Sequence, residues 1–400
     1  MKSNPRGQMV LRRSFMPYLM ALAILATPAT SEATSRTTTE PAVVVGALYN
    51  LTGFQSGLDV PSSNGARLAV MEINRNGGVL GRKLHLVLED GESQPKVLRE
   101  KTAVLLKRYP SMTALLGLSD TDMVLSAAPL AAESRKLFLT SGATSPRLPA
   151  QVPKYLFLAC FGDNVQAAAA AEWAYGQLSV RTAVIVYDAS KDYTNLLQSY
   201  FRTRFQELGG RILSARRYTT HDELNRAIGG IGKPDLVFLS AAAPDDIIEG
   251  VEGLREAGYS GPILGGDGFD AEKLWQRHAE LGNVFFTTHA YLGKDNPDPR
   301  VAAFRKVYTS AYPGSAPDAF AALGYDTVRL LAAAIARAQS ADPAAVLEAL
   351  AGIKRFEGVT GVIGYAAGSR IPRKSVSILR VQRGRLSLAQ QMMPTKVPPP

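Results

Sequence analysis

The chain has 400 residues, 46% of them hydrophobic and 20% charged, with a formal net charge of +10 and a single cysteine. That length exceeds what one hydrophobic core usually serves, and the balance excludes a disordered or collagen-like chain, so two globular domains are expected. The lone Cys160 excludes an intrachain disulfide, and its apolar surroundings from Leu156 to Phe161 read as core.

Residues 1–33 stand apart. Lys2, Arg6, Arg12 and Arg13 precede an apolar run from Phe15 to Ala26, and small residues lead to Ser31-Glu32-Ala33. A basic start, a short apolar middle and a small-residue exit predict a cleaved secretory signal peptide. The run is too short to span a bilayer comfortably, and Pro17 and Pro28 sit badly in a buried helix. Arg12-Arg13-Ser14-Phe15-Met16 also resembles a twin-arginine export motif. The remaining basic residues are dispersed, without a Lys/Arg run or an aromatic-interleaved patch, so a nucleic-acid partner is not expected.

From Ala42 onward, short β-like runs alternate with helical patterns. Val43 to Leu48 is a continuous apolar run, as a strand buried on both faces should be. Ala66, Ala69, Val70 and Ile73 recur at helical spacing, and Asn76-Gly77-Gly78 ends that helix. Further strands are predicted at Leu84–Leu88, Ala114–Leu118 and Leu137–Thr140, with helices near Lys96–Lys107 and Met123–Ser134. The pattern restarts at Ala183–Tyr187 and continues through Ile212–Ala215, Leu236–Ser240 and Pro262–Gly265, again with helices between. Strands alternating with helices imply parallel sheets with covered faces, and two such runs imply two similar α/β lobes. A long Ala-rich helix is predicted from Ala316 to Ala338, a further one from near Asp342, and short strands beyond Gly358.

Local catalytic signatures are missing: there is no G-x-S-x-G, no P-loop and no H-E-x-x-H. His85, His221, His278 and His289 lie far apart, without metal-ligand spacing, and read as surface or structural residues. Neither a cofactor nor a metal is expected. Polar residues gather instead at the carboxyl ends of the predicted strands, where open α/β sheets bind ligands. These are Tyr49-Asn50, Ser119 to Asp122, Ser141 to Ser145, Tyr187 to Tyr193 and Gly265 to Gly268. Thr121 and Thr144 are placed to offer hydroxyls and backbone N–H groups to an anion, and Asp267 to pair with a cation. Each also has a plainer reading as a turn or helix-cap residue.

The segment Asn64-Gly65-Ala66-Arg67-Leu68-Ala69, followed by Glu72-Ile73-Asn74 and Gly77 to Lys83, resembles the opening of the branched-chain amino-acid-binding proteins of ABC transporters. Leu51-Thr52-Gly53, Glu89-Asp90, Ser141 to Pro146, Tyr187-Asp188 with Tyr193, and Gly265 to Gly268 continue the resemblance in order. It implies a type I periplasmic binding fold, α/β, with two Rossmann-like lobes joined by a three-strand hinge and a ligand in the cleft. Lobe 1 would comprise residues 42–162 plus 292–369, lobe 2 residues 163–291 plus 370–390, and residues 391–400 a disordered tail. It further implies Thr121 as the hydroxyl on the substrate carboxylate. Gly142 would offer a carbonyl to the ammonium, while Ala143 and Thr144 would offer N–H and hydroxyl groups to the carboxylate. Tyr193 would come from the second lobe, Asp267 would meet the ammonium, and Phe320 would lie near the side-chain pocket.

Three positions depart from that pattern. Ala242 stands where a second-lobe tyrosine is usual, Leu58 replaces an aromatic at the first lobe's lip, and Asp120 and Asp122 flank Thr121. One or both aspartates are read as caps of the following helix; if either faces the cleft, a more cationic or amide-bearing ligand is favoured. The expected function is therefore a periplasmic solute-binding protein of an ABC importer, monomeric, delivering an amino acid or related polar compound to a membrane permease. The alternatives are a ligand sensor on the same fold and a binder of an amide or aromatic acid. An exported hydrolase would need a nucleophile–base pair, and none is evident.

Overall fold

The computed structural model describes residues 41–400, and the expected signal peptide lies outside the described residues. Five strands form the first sheet: β1 (Val43–Tyr49), β2 (Leu84–Asp90), β3 (Ala114–Gly117), β4 (Leu137–Thr140) and β5 (Leu156–Leu158). Their order is β2-β1-β3-β4-β5, and every pairing is parallel. The second sheet opens with β6 (Thr182–Asp188), β7 (Arg211–Tyr218), β8 (Leu236–Ser240), β9 (Ile263–Gly265) and β10 (Gly282–Thr288). These repeat the same parallel order, β7-β6-β8-β9-β10. A small hairpin, β11 (Phe356–Gly358) with β12 (Gly361–Ile363), comes before β13 (Val376–Gln382) and β14 (Arg385–Met392). These last two strands extend the second sheet antiparallel, beside β10. The chain thus completes the first sheet before it begins the second, and returns late to finish the second.

Helices cover these sheets because their apolar residues recur on one face. In the first half they are α1 (Ser56–Arg75), α2 (Pro95–Arg108), α3 (Thr121–Glu133) and the single turn α4 (Leu148–Gln151). Next come α5 (Asp163–Gln177), α6 (Asp192–Glu207), α7 (His221–Ile228), α8 (Pro244–Glu256) and α9 (Glu272–Arg277). The chain then supplies α10 (Pro299–Ala311), α11 (Ala319–Ala338) and α12 (Pro343–Ala351). Asp318 caps α11 by accepting from the Ala321 N–H at 2.8 Å. Helix α11 packs on α1 so closely that a Cβ at Gly65 would lie 1.9 Å from the Ala321 carbonyl oxygen. One core cluster joins β1, β4, α1, α10, α11 and α12, and another joins β8, β9, β10, β13, α7 and α8.

The segment expected as a disordered tail is instead docked. Strand β14 reaches Met392, and the Thr395 and Lys396 N–H groups then donate to the Glu172 carboxylate on α5. Arg204 on α6 bonds both Glu172 and Thr395, and the Asn164 side chain donates to the Pro398 carbonyl at 2.9 Å. The terminal prolines carry no backbone donors of their own, and a ready-made carboxylate and amide on the lobe surface supply the partners instead.

Candidate functional site

Both sheets reverse their strand order beside the first strand of each series, which leaves a crevice at the carboxyl ends of β3, β4, β8 and β9. Gln55, Leu58, Ser119, Asp120, Thr121, Thr144 and Phe320 face Tyr193, Ala242, Asp267 and Gly268 around one narrow space. The turn after β3 is unusual. Gly117 (φ 121°) is followed by Leu118 in the left-handed region (φ 58°), where a branched side chain is strained. This double reversal directs Ser119 to Thr121 into the crevice. The Thr121 hydroxyl is buried there without a protein partner, and the Ser119 hydroxyl turns toward the buried Asp59 carboxyl.

Across the crevice, the turn after β9 holds Asp267, which is only 4% exposed. Gln166 Nε2 and the Tyr193 hydroxyl donate to its Oδ1 at 2.7 and 2.9 Å, and His289 Nε2 lies 3.1 Å from its Oδ2. Burial holds the His289 pKa below its ordinary value, so the ring is neutral and offers Asp267 an N–H. The ring also stacks on Phe161, with centroids 3.9 Å apart. Gln166 is a hub: its Nε2 also reaches Asp163 Oδ1 at 2.9 Å, and its Oε1 accepts from the Thr287 hydroxyl at 2.7 Å. Asp163 begins α5, and burial together with the neighbouring Asp267 charge holds its carboxyl well above the usual carboxylate range. Burial likewise pushes the Tyr193 hydroxyl up, which keeps it a proton donor.

Asp120 combines two roles that the sequence presents as alternatives. Its Oδ1 caps α3 by accepting from the Met123 N–H at 3.0 Å, and its Oδ2 accepts from Gln55 Nε2 at 2.8 Å, while the side chain lines the crevice. Burial raises its pKa. Asp122 is not a lining residue, and it shares its surroundings with Lys191, Asp192 and Asp188.

Of the residues singled out from sequence, Thr121, Thr144, Tyr193, Asp267, Ala242, Leu58 and Phe320 meet around the space, whereas Gly142 and Ala143 are not among its lining residues. The Ala143 N–H already donates to the Thr140 hydroxyl at 3.2 Å, and Gly142 packs beneath Ser119 and Phe320. Sequence reasoning missed Gln55, Asp163, Gln166 and the contact of His289 with Asp267, while Ser119 lies in the rim segment Ser119 to Asp122 that it singled out. A readable signal for two of these was the placement of Asp163 and Gln166 immediately before the Ala167–Ala171 run of a buried helix. Elsewhere, Glu252, His278 and Glu280 bring possible ligand atoms within 4.8 Å of one another at a partly exposed position. Their hydrogen bonding there needs no ion.

Two α/β layers of identical strand order, with polar groups from both converging on one crevice, define a two-lobed binding protein. The profile of the family described as periplasmic binding protein matches residues 42–385, and the chain belongs to that family. Among curated relatives, the Leu/Ile/Val-binding protein BraC3 of Rhizobium johnstonii is 25% identical over 352 residues, covering 87% of this chain and 94% of the relative. The leucine-binding protein LivK of Thermotoga maritima superposes with a TM-score of 0.79 at 29% identity, covering 88% and 99% of the two chains. A solute-binding protein of an ABC transporter from Rhodopseudomonas palustris BisB5, solved with 3,4-dihydroxybenzoic acid, has a TM-score of 0.74 at 21% identity, covering 89% and 99%.

Proposed function

We propose that this protein is the periplasmic solute-binding subunit of an ABC importer and that it takes an α-amino acid or a close relative into the crevice. The observation that carries this reading is Asp267: a buried carboxylate held by Gln166, Tyr193 and His289, facing the unpartnered hydroxyl of Thr121 on the other lobe. Such an arrangement suits an ammonium on one side and hydrogen-bonding groups on the other. Closure excludes water and strengthens each contact. Membership of the family and the curated Leu/Ile/Val-binding relative support the same class.

The crevice residues suit binding, not chemistry. Among the described residues that line it, no serine or threonine hydroxyl is hydrogen-bonded to a histidine, and we infer that the protein is not an enzyme. We also infer export by the basic, apolar N-terminal segment, its cleavage near Ala33, and action as a monomer on a membrane permease, without nucleic acid. A thermal-shift panel of amino acids, amides and aromatic acids tests the binding reading. A true ligand at a hundredfold excess over its dissociation constant stabilises the fold by about 2.7 kcal/mol. A flat response across the whole panel overturns it.

A further inference from the structure

The charge of the crevice points beyond a generic amino acid. Two carboxylates from opposite lobes, Asp120 and Asp267, line the space, and none of its lining residues is a lysine, arginine or histidine. The N-terminus of α3 is where a ligand carboxylate would ordinarily find free N–H groups and a favourable dipole. Here Asp120 occupies that position itself, taking the Met123 N–H. An anionic ligand group beside Thr121 would therefore sit against a fixed negative charge.

The surroundings do not cancel that charge. Lys191 is the basic group acting on both Asp120 and Asp122, and its ammonium lies over the Phe54 ring, 5.2 Å from the centroid. Around the same lysine gather Asp122, Asp188 and Asp192. Behind the rim, Asp59 is fully buried, and the Asp120 charge is one of the causes that raise its pKa. A chain of positive net charge thus carries an acidic crevice, and such a field concentrates cations.

We infer that the crevice selects a ligand of net positive charge: an α-amino acid with a basic side chain, or an α-amino amide, whose second nitrogen group sits at Asp120. This rests on the amino-acid reading above. The α-ammonium meets Asp267, and the second N–H-bearing group meets Asp120 Oδ2 beside Gln55. The free hydroxyl of Thr121 completes whichever hydrogen bonds remain. Helix capping alone does not require this residue, since asparagine or serine caps equally well without a charge.

The experiment is calorimetric titration of the full mature protein with L-arginine, L-lysine, L-leucinamide and L-leucine, with benzoate as an anion. Leucinamide and leucine share a side chain and differ in the charge at the carboxyl end. At least one of the three net-positive probes is expected to bind tenfold or more tightly than leucine, with benzoate silent. Arginine or lysine leading assigns the second group to a side chain, and leucinamide leading assigns it to the masked carboxyl. Asp120→Asn keeps the cap and the shape, so it should fold normally while losing about tenfold in affinity for the leading probe and little for leucine. Leucine or benzoate binding as tightly as the net-positive probes overturns the inference and leaves small-solute binding standing. Silence from every probe overturns both. Undiminished binding in a folded Asp120→Asn protein removes Asp120 from recognition and overturns the assignment.

Discussion

Tyr193 and Asp267 are joined by a hydrogen bond of 2.9 Å between the tyrosine hydroxyl and Oδ1, which ties α6 to the turn after β9. The same hydroxyl lies 3.4 Å from the Gly268 N–H. Tyr193→Phe keeps the ring and removes both contacts. Loss of one neutral-to-charged hydrogen bond of this kind costs about 1.5–3 kcal/mol of fold stability, which chemical denaturation should read, and calorimetry should read weaker ligand binding besides. Unaltered affinity would place the hydroxyl outside the ligand's electrostatic environment.

Asp267→Ala should be more damaging. It removes the carboxylate that meets the ligand ammonium and frees Gln166, Tyr193 and His289, which now share it. Truncating one side of a buried charged pair costs about 2–5 kcal/mol, so affinity for an amino acid should fall by well over tenfold. Binding as tight as the parent's would exclude Asp267 from the site.

Gly65→Ala tests the contact of α1 with α11. The added methyl would lie 1.9 Å from the Ala321 carbonyl oxygen and 2.9 Å from the Tyr325 backbone nitrogen, and neither backbone atom can rotate away. A destabilisation of about 3 kcal/mol is expected in chemical denaturation. A variant as stable as the parent would mean that the two helices separate at little cost.

Three buried carboxyls predict how stability depends on pH. Burial pushes Asp59 and Asp318 up to about 7 and Asp270 up to about 8. In the folded protein they hold protons that the unfolded chain sheds near its ordinary carboxylate pKa. The native state therefore binds more protons between pH 4 and 8, and stability falls as pH rises through that window. His289 acts oppositely, because its depressed pKa favours the native state above about pH 6.5 and loses that contribution as pH falls. With Asp163 and Asp120 raised in the same sense as these three and His289 opposing them, denaturant midpoints should drop from pH 5 to pH 8, and Asp59→Asn should flatten the slope. Midpoints that rise over this range would contradict the assignment.

Much of the architecture was legible because buried parallel strands write themselves as short apolar runs. Val43 to Leu48, Ala183 to Tyr187 and Leu236 to Ser240 all became central strands. Strand β10 and the closing strand β14 were harder. Residues along β14 alternate between exposed and half-buried, so Arg385 to Met392 lacks an apolar signature of its own. In the crevice, residues directly following strands were readable from position alone, which is why Thr121, Thr144 and Asp267 stood out. Gln166 was marked only by its place before the Ala167–Ala171 run, and His289 follows a strand that was itself hard to read, so no local pattern records their meeting at Asp267. Asp120 shows a different limit: one side chain serves as both cap and crevice wall, and its spacing before Met123 reveals only the cap.

The docked C-terminal segment has a practical consequence for anyone shortening or tagging this chain. The side chains of Glu172 and Arg204 are each only 8% exposed, and Thr395 bonds to both. Ending the polypeptide at Met392 would leave that pair with a hollow beside it on α5, the helix whose first residue is Asp163. Val397, 39% exposed within the same segment, offers the reverse opportunity. A fluorophore attached there would sit on the segment docked against α5, away from the residues that line the crevice.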